Sequence, residues 1–212
     1  MTQSDGLADW VAPTRSALLV VDMQADFAAP TGLLGQAGVD LSAVPAALAA
    51  AERLTTAARA AGVLVVLVGL STTPQSDSPV WRERLRRLGG DPDLDMAICR
   101  AGQAGAGFVG PQPGPGDWVE LKTRYSPFGQ GDLAARLRAR HIDTLVVCGL
   151  TTECCVDCTV RDGFALDFHV FVAADACAAY EPDLHAAALK SLGLSFAQVT
   201  TVAALGSAWA RP

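Results

Sequence analysis

The chain has 212 residues, half of them hydrophobic, which is enough for one large domain with a sizeable core and argues against disorder. A net charge of −6 disfavours nucleic acid and anionic membranes as partners. Six cysteines are too few for a disulfide scaffold, no apolar run is long enough to span a bilayer, and the opening MTQSDGLADW lacks the basic and apolar regions of a signal peptide, so a reduced, cytoplasmic setting is expected.

Residues 1–15 read as a flexible tail. Residues 17–21 (ALLVV) read as a buried strand that ends at Asp22. An alanine-rich helix is expected over 41–61, with Pro45 in its first turn and Gly62 as its stop. Residues 63–68 (VLVVLV) are a second strand, and 79–88 a short helix halted by Gly89 and Gly90. Its Arg82, Arg84, Arg86 and Arg87, interleaved with Glu83, Leu85 and Leu88, read as a solvated helix face. Glycines and prolines make 100–116 a long loop, and 118–121 forms a third strand ending at Lys122. The rest alternates: helix 133–140, strand 144–148, helix 153–166, strand 169–173, helix 182–192 and a sixth strand at 198–202.

Continuous apolar strands alternating with helices indicate an α/β domain, a mainly parallel sheet covered on both faces. Ligands of such sheets bind at the carboxyl ends of the strands. Asp22, Lys122 and Cys155 stand at or just beyond three of those ends. Cys155 belongs to GLTTECCV, residues 149–156, where a strand feeds a glycine, a polar turn and then a helix start. Unpaired N–H groups and the helix dipole at such a start favour a thiolate and can hold an oxyanion.

Taken singly, each residue has an ordinary role open to it. Asp22 could close a turn, Lys122 could lie on the surface, and Cys155 could be inert core, the role given to Cys154. Together they are an acid, an amine and a nucleophile on one edge of the sheet. Cys155 and Cys158 also have the spacing of a redox pair, so a thiol redox protein stays open as an alternative, as does a non-catalytic binding protein. No second cysteine pair or histidine lies at ligand spacing; His141, His169 and His185 read as structural or exposed, and no metal is assigned. Gly102, Gly105 and Gly107 neither follow a strand nor open a helix, so they are not a dinucleotide fingerprint.

Four blocks resemble the isochorismatase-like cysteine hydrolases, in family order and from about residue 16 onward. They are LLVVDMQADF at 18–27, KTRYSPF at 122–128, GLTTECCVDCT with Arg161 and Asp162 from 149, and the stretch 169–179 around Asp175 and Cys177. The resemblance implies one hydrolase domain over 16–212, a three-layer α/β/α fold with strand order 3-2-1-4-5-6, and a cleft where strands 1 and 4 meet. It implies a triad of Asp22, Lys122 and Cys155, a cis peptide between Leu150 and Thr151, and an oxyanion site formed by the N–H groups of Thr151 and Cys155. Phe27, Tyr125, Phe128 and Glu153 are the expected substrate contacts, with Trp81 and Tyr180 as weaker ones. Lys122 would have to reach across from the third strand.

The implied activity is cleavage of a C–N bond in a small amide or ureide through a thioacyl enzyme, without a cofactor, in a homo-oligomer. Nicotinamidases of this family carry a histidine-rich metal site after the second strand; residues 69–75 here hold no histidine. True isochorismatases lack the nucleophilic cysteine. The wording of 152–159 and 178–181 looks most like the ureide branch, the triuret, biuret and ureidoacrylate hydrolases, with N-carbamoylsarcosine- or nicotinamidase-like amidases as the alternative.

Overall fold

The computed structural model describes residues 6–210. Its main elements, in chain order, are β1 (Ser16–Val21), α1 (Val44–Ala61), β2 (Leu64–Leu70), α2 (Pro79–Arg87), β3 (Trp118–Lys122) and α3 (Leu133–Ala139). They continue as β4 (Thr144–Leu150), α4 (Asp157–Ala165), β5 (His169–Ala178), α5 (Pro182–Ser195), β6 (Gln198–Thr200) and α6 (Val202–Trp209). The six strands form one sheet of order β3-β2-β1-β4-β5-β6, and every neighbouring pair is parallel.

This order follows from burial. Every residue of β1 and β4 is buried, as expected for strands covered on both faces at the centre of a parallel sheet. The edge strand β3 alternates instead: Glu120 and Lys122 are buried, while Val119 and Leu121 are exposed. Its pleat therefore turns Lys122 inward. Crossovers between parallel strands are right-handed, and the chain leaves the centre in opposite directions, to β2 by α1 and to β5 by α4. The two helices consequently cover opposite faces. Strands 1 and 4 are neighbours whose connections diverge, which opens a crevice at their carboxyl ends.

Several elements differ from the expectations. Strand β5 runs ten residues because, past an irregularity between Val147 and Gly149, Cys177 and Ala178 still pair with Gly149 and Leu150. The sixth strand stops at Thr200. Thr201 caps α6 instead, its hydroxyl accepting from the Ala204 N–H (3.2 Å). Val202, Leu205, Ala208 and Trp209, all buried, have the helical spacing that the strand reading of 198–202 overrode.

The flexible tail is also corrected for residues 6–15. Leu7–Trp10 forms a helical turn, and Leu7 and Val11 are buried in the core. The indole N–H of Trp209 donates to the Val11 carbonyl (2.8 Å), and Trp10 meets the His169 ring edge-on at 4.8 Å. Residues 1–5 lie outside the described residues.

Candidate active site

Asp22 is the first residue after β1. Its backbone is left-handed (φ 50°), a conformation Asp tolerates better than most residues, and its N–H donates to the Val68 carbonyl (2.8 Å). That turn tips the fully buried carboxylate into the crevice between β1 and β4. Lys122, the last residue of β3, reaches past β2 and places Nζ 2.7 Å from Asp22 Oδ2 and 3.6 Å from Cys155 Sγ. Two strand spacings, about 9–10 Å, are thus bridged by one long side chain and one short one.

Cys155 arrives from the far side of β4. Gly149 lets β4 press against the end of β1: its φ is 133°, and a Cβ there would lie 2.0 Å from the Val21 carbonyl oxygen. The Leu150–Thr151 peptide is cis. The chain then makes a wide, π-type turn over Thr152–Val156 before α4 begins at Asp157. The sequence reading has one regular helix from 153. Wide turns of this kind are frequent at functional sites because they re-aim a side chain.

The charges of the cluster follow from burial. Burial pushes the Asp22 carboxyl above its ordinary value, opposed by the neighbouring Lys122 cation. Burial pulls Lys122 down, but Asp22 and the Cys155 sulfur outweigh it and hold the ammonium above its ordinary value. The adjacent Cys154 sulfur, then burial and the Asp22 charge, push the Cys155 thiol well above its usual range. The cluster thus joins a carboxyl, an amine and a thiol whose charges depend on one another. Asp22 Oδ1 is buried with no hydrogen-bond partner among the described residues, leaving it free to accept a proton. Burial pushes Cys158 up to about 11, so it carries little thiolate at neutral pH.

A cavity of about 200 Å³ opens onto this cluster. Phe27, Tyr125, Thr151, Cys154 and Cys155 line it, with Trp81 and Tyr180 completing an aromatic wall. Trp81 stacks on Tyr125 (centroids 4.7 Å apart), and the Tyr180 hydroxyl donates to the Phe27 carbonyl (2.8 Å).

Two expected contacts lie elsewhere. Phe128 packs on Phe168 (6.0 Å) and against Gly163 of α4. The Ser126 hydroxyl accepts from its N–H (3.2 Å) and fixes a tight turn over Pro127–Gly129, which turns the ring toward the helix. Glu153 does not line the cavity. Its Oε1 accepts from the Thr151 hydroxyl (2.9 Å), so it braces the turn behind the wall.

Two supports were not assigned from the sequence. The Gln24 amide donates to the carbonyls of Leu70 and Ala106 (both 2.8 Å) and accepts from the Leu70 N–H (2.7 Å). Asp26 accepts from the N–H groups of Leu33 (2.9 Å) and Cys99 (2.6 Å). Both belong to the block at 18–27, whose polar alternation just beyond a buried strand was the available signal. Among the described residues no cluster of three or more His, Cys, Asp or Glu side chains could hold a metal, and no helix is long and apolar enough to cross a membrane.

A parallel sheet whose central crevice gathers a carboxylate, an ammonium and a thiol is the build of a cysteine hydrolase. The chain belongs to the isochorismatase family: the family profile described as Isochorismatase domain matches residues 16–204. A ureidoacrylate amidohydrolase RutB from Methylobacterium radiotolerans is 36% identical over 210 residues, 94% of this chain and 81% of that protein. The enzyme of the same name from Azorhizobium caulinodans is 36% identical over 95% of this chain and 93% of its own length. Among solved structures, a cysteine hydrolase from Pseudomonas syringae pv. phaseolicola superposes with a TM-score of 0.82 at 29% identity, covering 94% of each chain. An N-carbamoylsarcosine amidase from Thermoplasma acidophilum gives a TM-score of 0.70 at 27% identity, covering 89% of this chain and 96% of its own.

Proposed function

We propose that this chain hydrolyses a C–N bond of a small ureide, with Cys155 as nucleophile, Asp22 as general base and acid, and Lys122 as the cation that holds both. The observation that carries this reading is the buried contact of Lys122 with Asp22 and Cys155 at the rim of the cavity. The ureide class is supported by the ureidoacrylate amidohydrolases at 36% identity. Triuret and biuret are alternative ureides for the same chemistry.

In the first half-reaction Asp22 Oδ1 takes the thiol proton as Cys155 Sγ attacks the substrate carbonyl carbon. The carbonyl oxygen becomes an oxyanion, held by the N–H groups of Thr151 and Cys155, two residues that line the cavity. The C–N bond then breaks, and Asp22 returns the proton to the leaving nitrogen, which departs as ammonia or an amine. Water attacks the thioacyl or thiocarbamoyl carbon and gives its proton to Asp22. The C–S bond breaks, the acid leaves, and the proton goes back to Cys155. Each step uses only side chains, backbone N–H groups and water. Lys122 keeps its charge throughout, which lowers the cost of both the carboxylate and the transient thiolate in a buried site.

A single hydrolase domain over 16–212 is part of this reading, supported by the one continuous sheet and the family match. So is a reducing, cytoplasmic setting, supported by six free cysteines. Assembly into a homo-oligomer is supported by exposed Val119, Leu121 and Val199 on the edge strands.

The test is ammonia release across ureidoacrylate, biuret, triuret, an N-carbamoyl amino acid and nicotinamide, with Cys155→Ser and Cys154→Ser compared. The expected outcome is turnover of at least one ureide, lost by more than about a thousandfold in Cys155→Ser and kept within about tenfold in Cys154→Ser. Turnover in Cys155→Ser at the parent rate would exclude the mechanism. Reversible disulfide chemistry between Cys155 and Cys158, unaffected by Asp22→Asn, would favour a redox protein.

A further inference from the structure

The arginine cluster on α2 reads from the sequence as a solvated face, and three of its four members fit that description. Arg82 pairs with Asp77 (3.8 Å) and Asp93 (2.5 Å), Arg86 with Glu83 (3.7 Å), and Arg87 with Glu83 (2.9 Å). Arg84 differs. It makes no ion pair among the described residues, yet it lines the cavity together with Trp81 and Leu85, Arg84 and Leu85 standing three and four residues after Trp81. It is exposed, and its charge acts on the phenol of Tyr125, which also lines the cavity.

The other cations close by are committed. Arg100 is bidentate to Asp77 (2.6 and 2.8 Å). Arg124 donates to the carbonyls of Ser76 (3.1 Å) and Thr123 (2.7 Å) and lies over the Trp81 ring. Lys122 is held by Asp22 and Cys155. Asp95 also lines the cavity, but its Oδ2 is turned to Gly90, where an added Cβ would meet it at 2.5 Å. Arg84 is therefore the one cation lining the cavity among the described residues, and it makes no ion pair there. A guanidinium free of other partners can take an anionic group on the bound molecule.

We infer that Arg84 is a specificity-determining residue that binds a carboxylate on the substrate, so that the substrate is a small planar ureide with its anionic group at the end remote from the scissile carbonyl. The inference rests on the hydrolase reading above and goes beyond it by selecting an anionic ureide over uncharged biuret or triuret. A guanidinium can hold a carboxylate through two parallel hydrogen bonds. The stacked Trp81 and Tyr125 offer a flat wall between that end and Cys155.

The test compares ureidoacrylate with biuret on the parent, Arg84→Gln and Arg84→Lys. In Arg84→Gln the KM for ureidoacrylate should rise about tenfold with kcat nearly unchanged, while biuret kinetics stay the same. Arg84→Lys should recover part of the loss. Added salt should raise the parent's KM for ureidoacrylate and spare that for biuret. Equal losses on both compounds, no loss, or a parent that turns over biuret alone would overturn the inference and leave the hydrolase reading standing. A parent inactive on every ureide would count against that reading instead. Calorimetric binding of ureidoacrylate to Cys155→Ala, with and without Arg84→Gln, then decides the matter. About tenfold weaker binding in the double variant supports the role of Arg84, whereas equal or absent binding overturns it.

Discussion

At the residue scale, the site depends on a carboxylate that burial makes reluctant to ionise. Asp22 is fully buried, and its carboxyl lies above the ordinary value of 3.8 even beside Lys122. The proposed reaction needs Asp22 ionised, so kcat/KM falls as the pH drops through that raised pKa. A rate profile of the parent should place the acid limb clearly above the ordinary carboxylate value; a limb at or below 3.8 would mean that another group controls it. The three residues were visible in the sequence because each stands at or just beyond a strand end. What the sequence could not give was contact. That Lys122 crosses from the edge strand to Asp22 depends on the pleat of β3, which buries Glu120 and Lys122 and exposes Val119 and Leu121. Phe128 shows the converse. It sits in a recognisable block, but the turn set by Ser126 sends its ring to Phe168 rather than to the cavity.

At the element scale, the connections shape the site as much as the strands do. Gln24 ties the turn after β1 to the end of β2 and to the loop at Ala106 by three buried or part-buried hydrogen bonds. Replacing it by leucine fills similar space but strands the N–H and carbonyl of Leu70. Gln24→Leu should lower unfolding stability by about 3 kcal/mol in a urea titration, since each unmet buried group costs about 1–3 kcal/mol. A loss below about 0.5 kcal/mol would mean that these bonds do not hold the turn. The strand cores were legible because continuous apolar runs are hard to mistake. Their ends were not: β4 and β5 extend by pairing Gly149 with Cys177 and Leu150 with Ala178, a register that no local pattern encodes. The wide turn at Thr152–Val156 was likewise hidden, because its composition is that of an ordinary helix start.

At the scale of the whole molecule, the two ends of the described chain pack together. Val11 accepts from Trp209, and Leu7 is buried in the same core. Leu7→Ala should therefore cost about 2–3 kcal/mol in denaturant unfolding, as for a core leucine, whereas a free tail would lose almost nothing. Residues 6–15 misled as sequence because their apolar members are sparse, and only the distant helix α6 reveals what they meet. The sheet order was available from the resemblance, and the alternation of strands and helices made it consistent. The central claim is that carbonyl carbon is transferred to Cys155 within this sheet-end crevice. Acid quench during turnover of a ureide, followed by digestion and mass spectrometry of the peptide carrying Cys154, Cys155 and Cys158, measures it most directly. The expected result is a thioacyl or thiocarbamoyl adduct on Cys155 alone, absent in Asp22→Asn; an adduct on Cys154 or Cys158, with Cys155 unmodified, would contradict it.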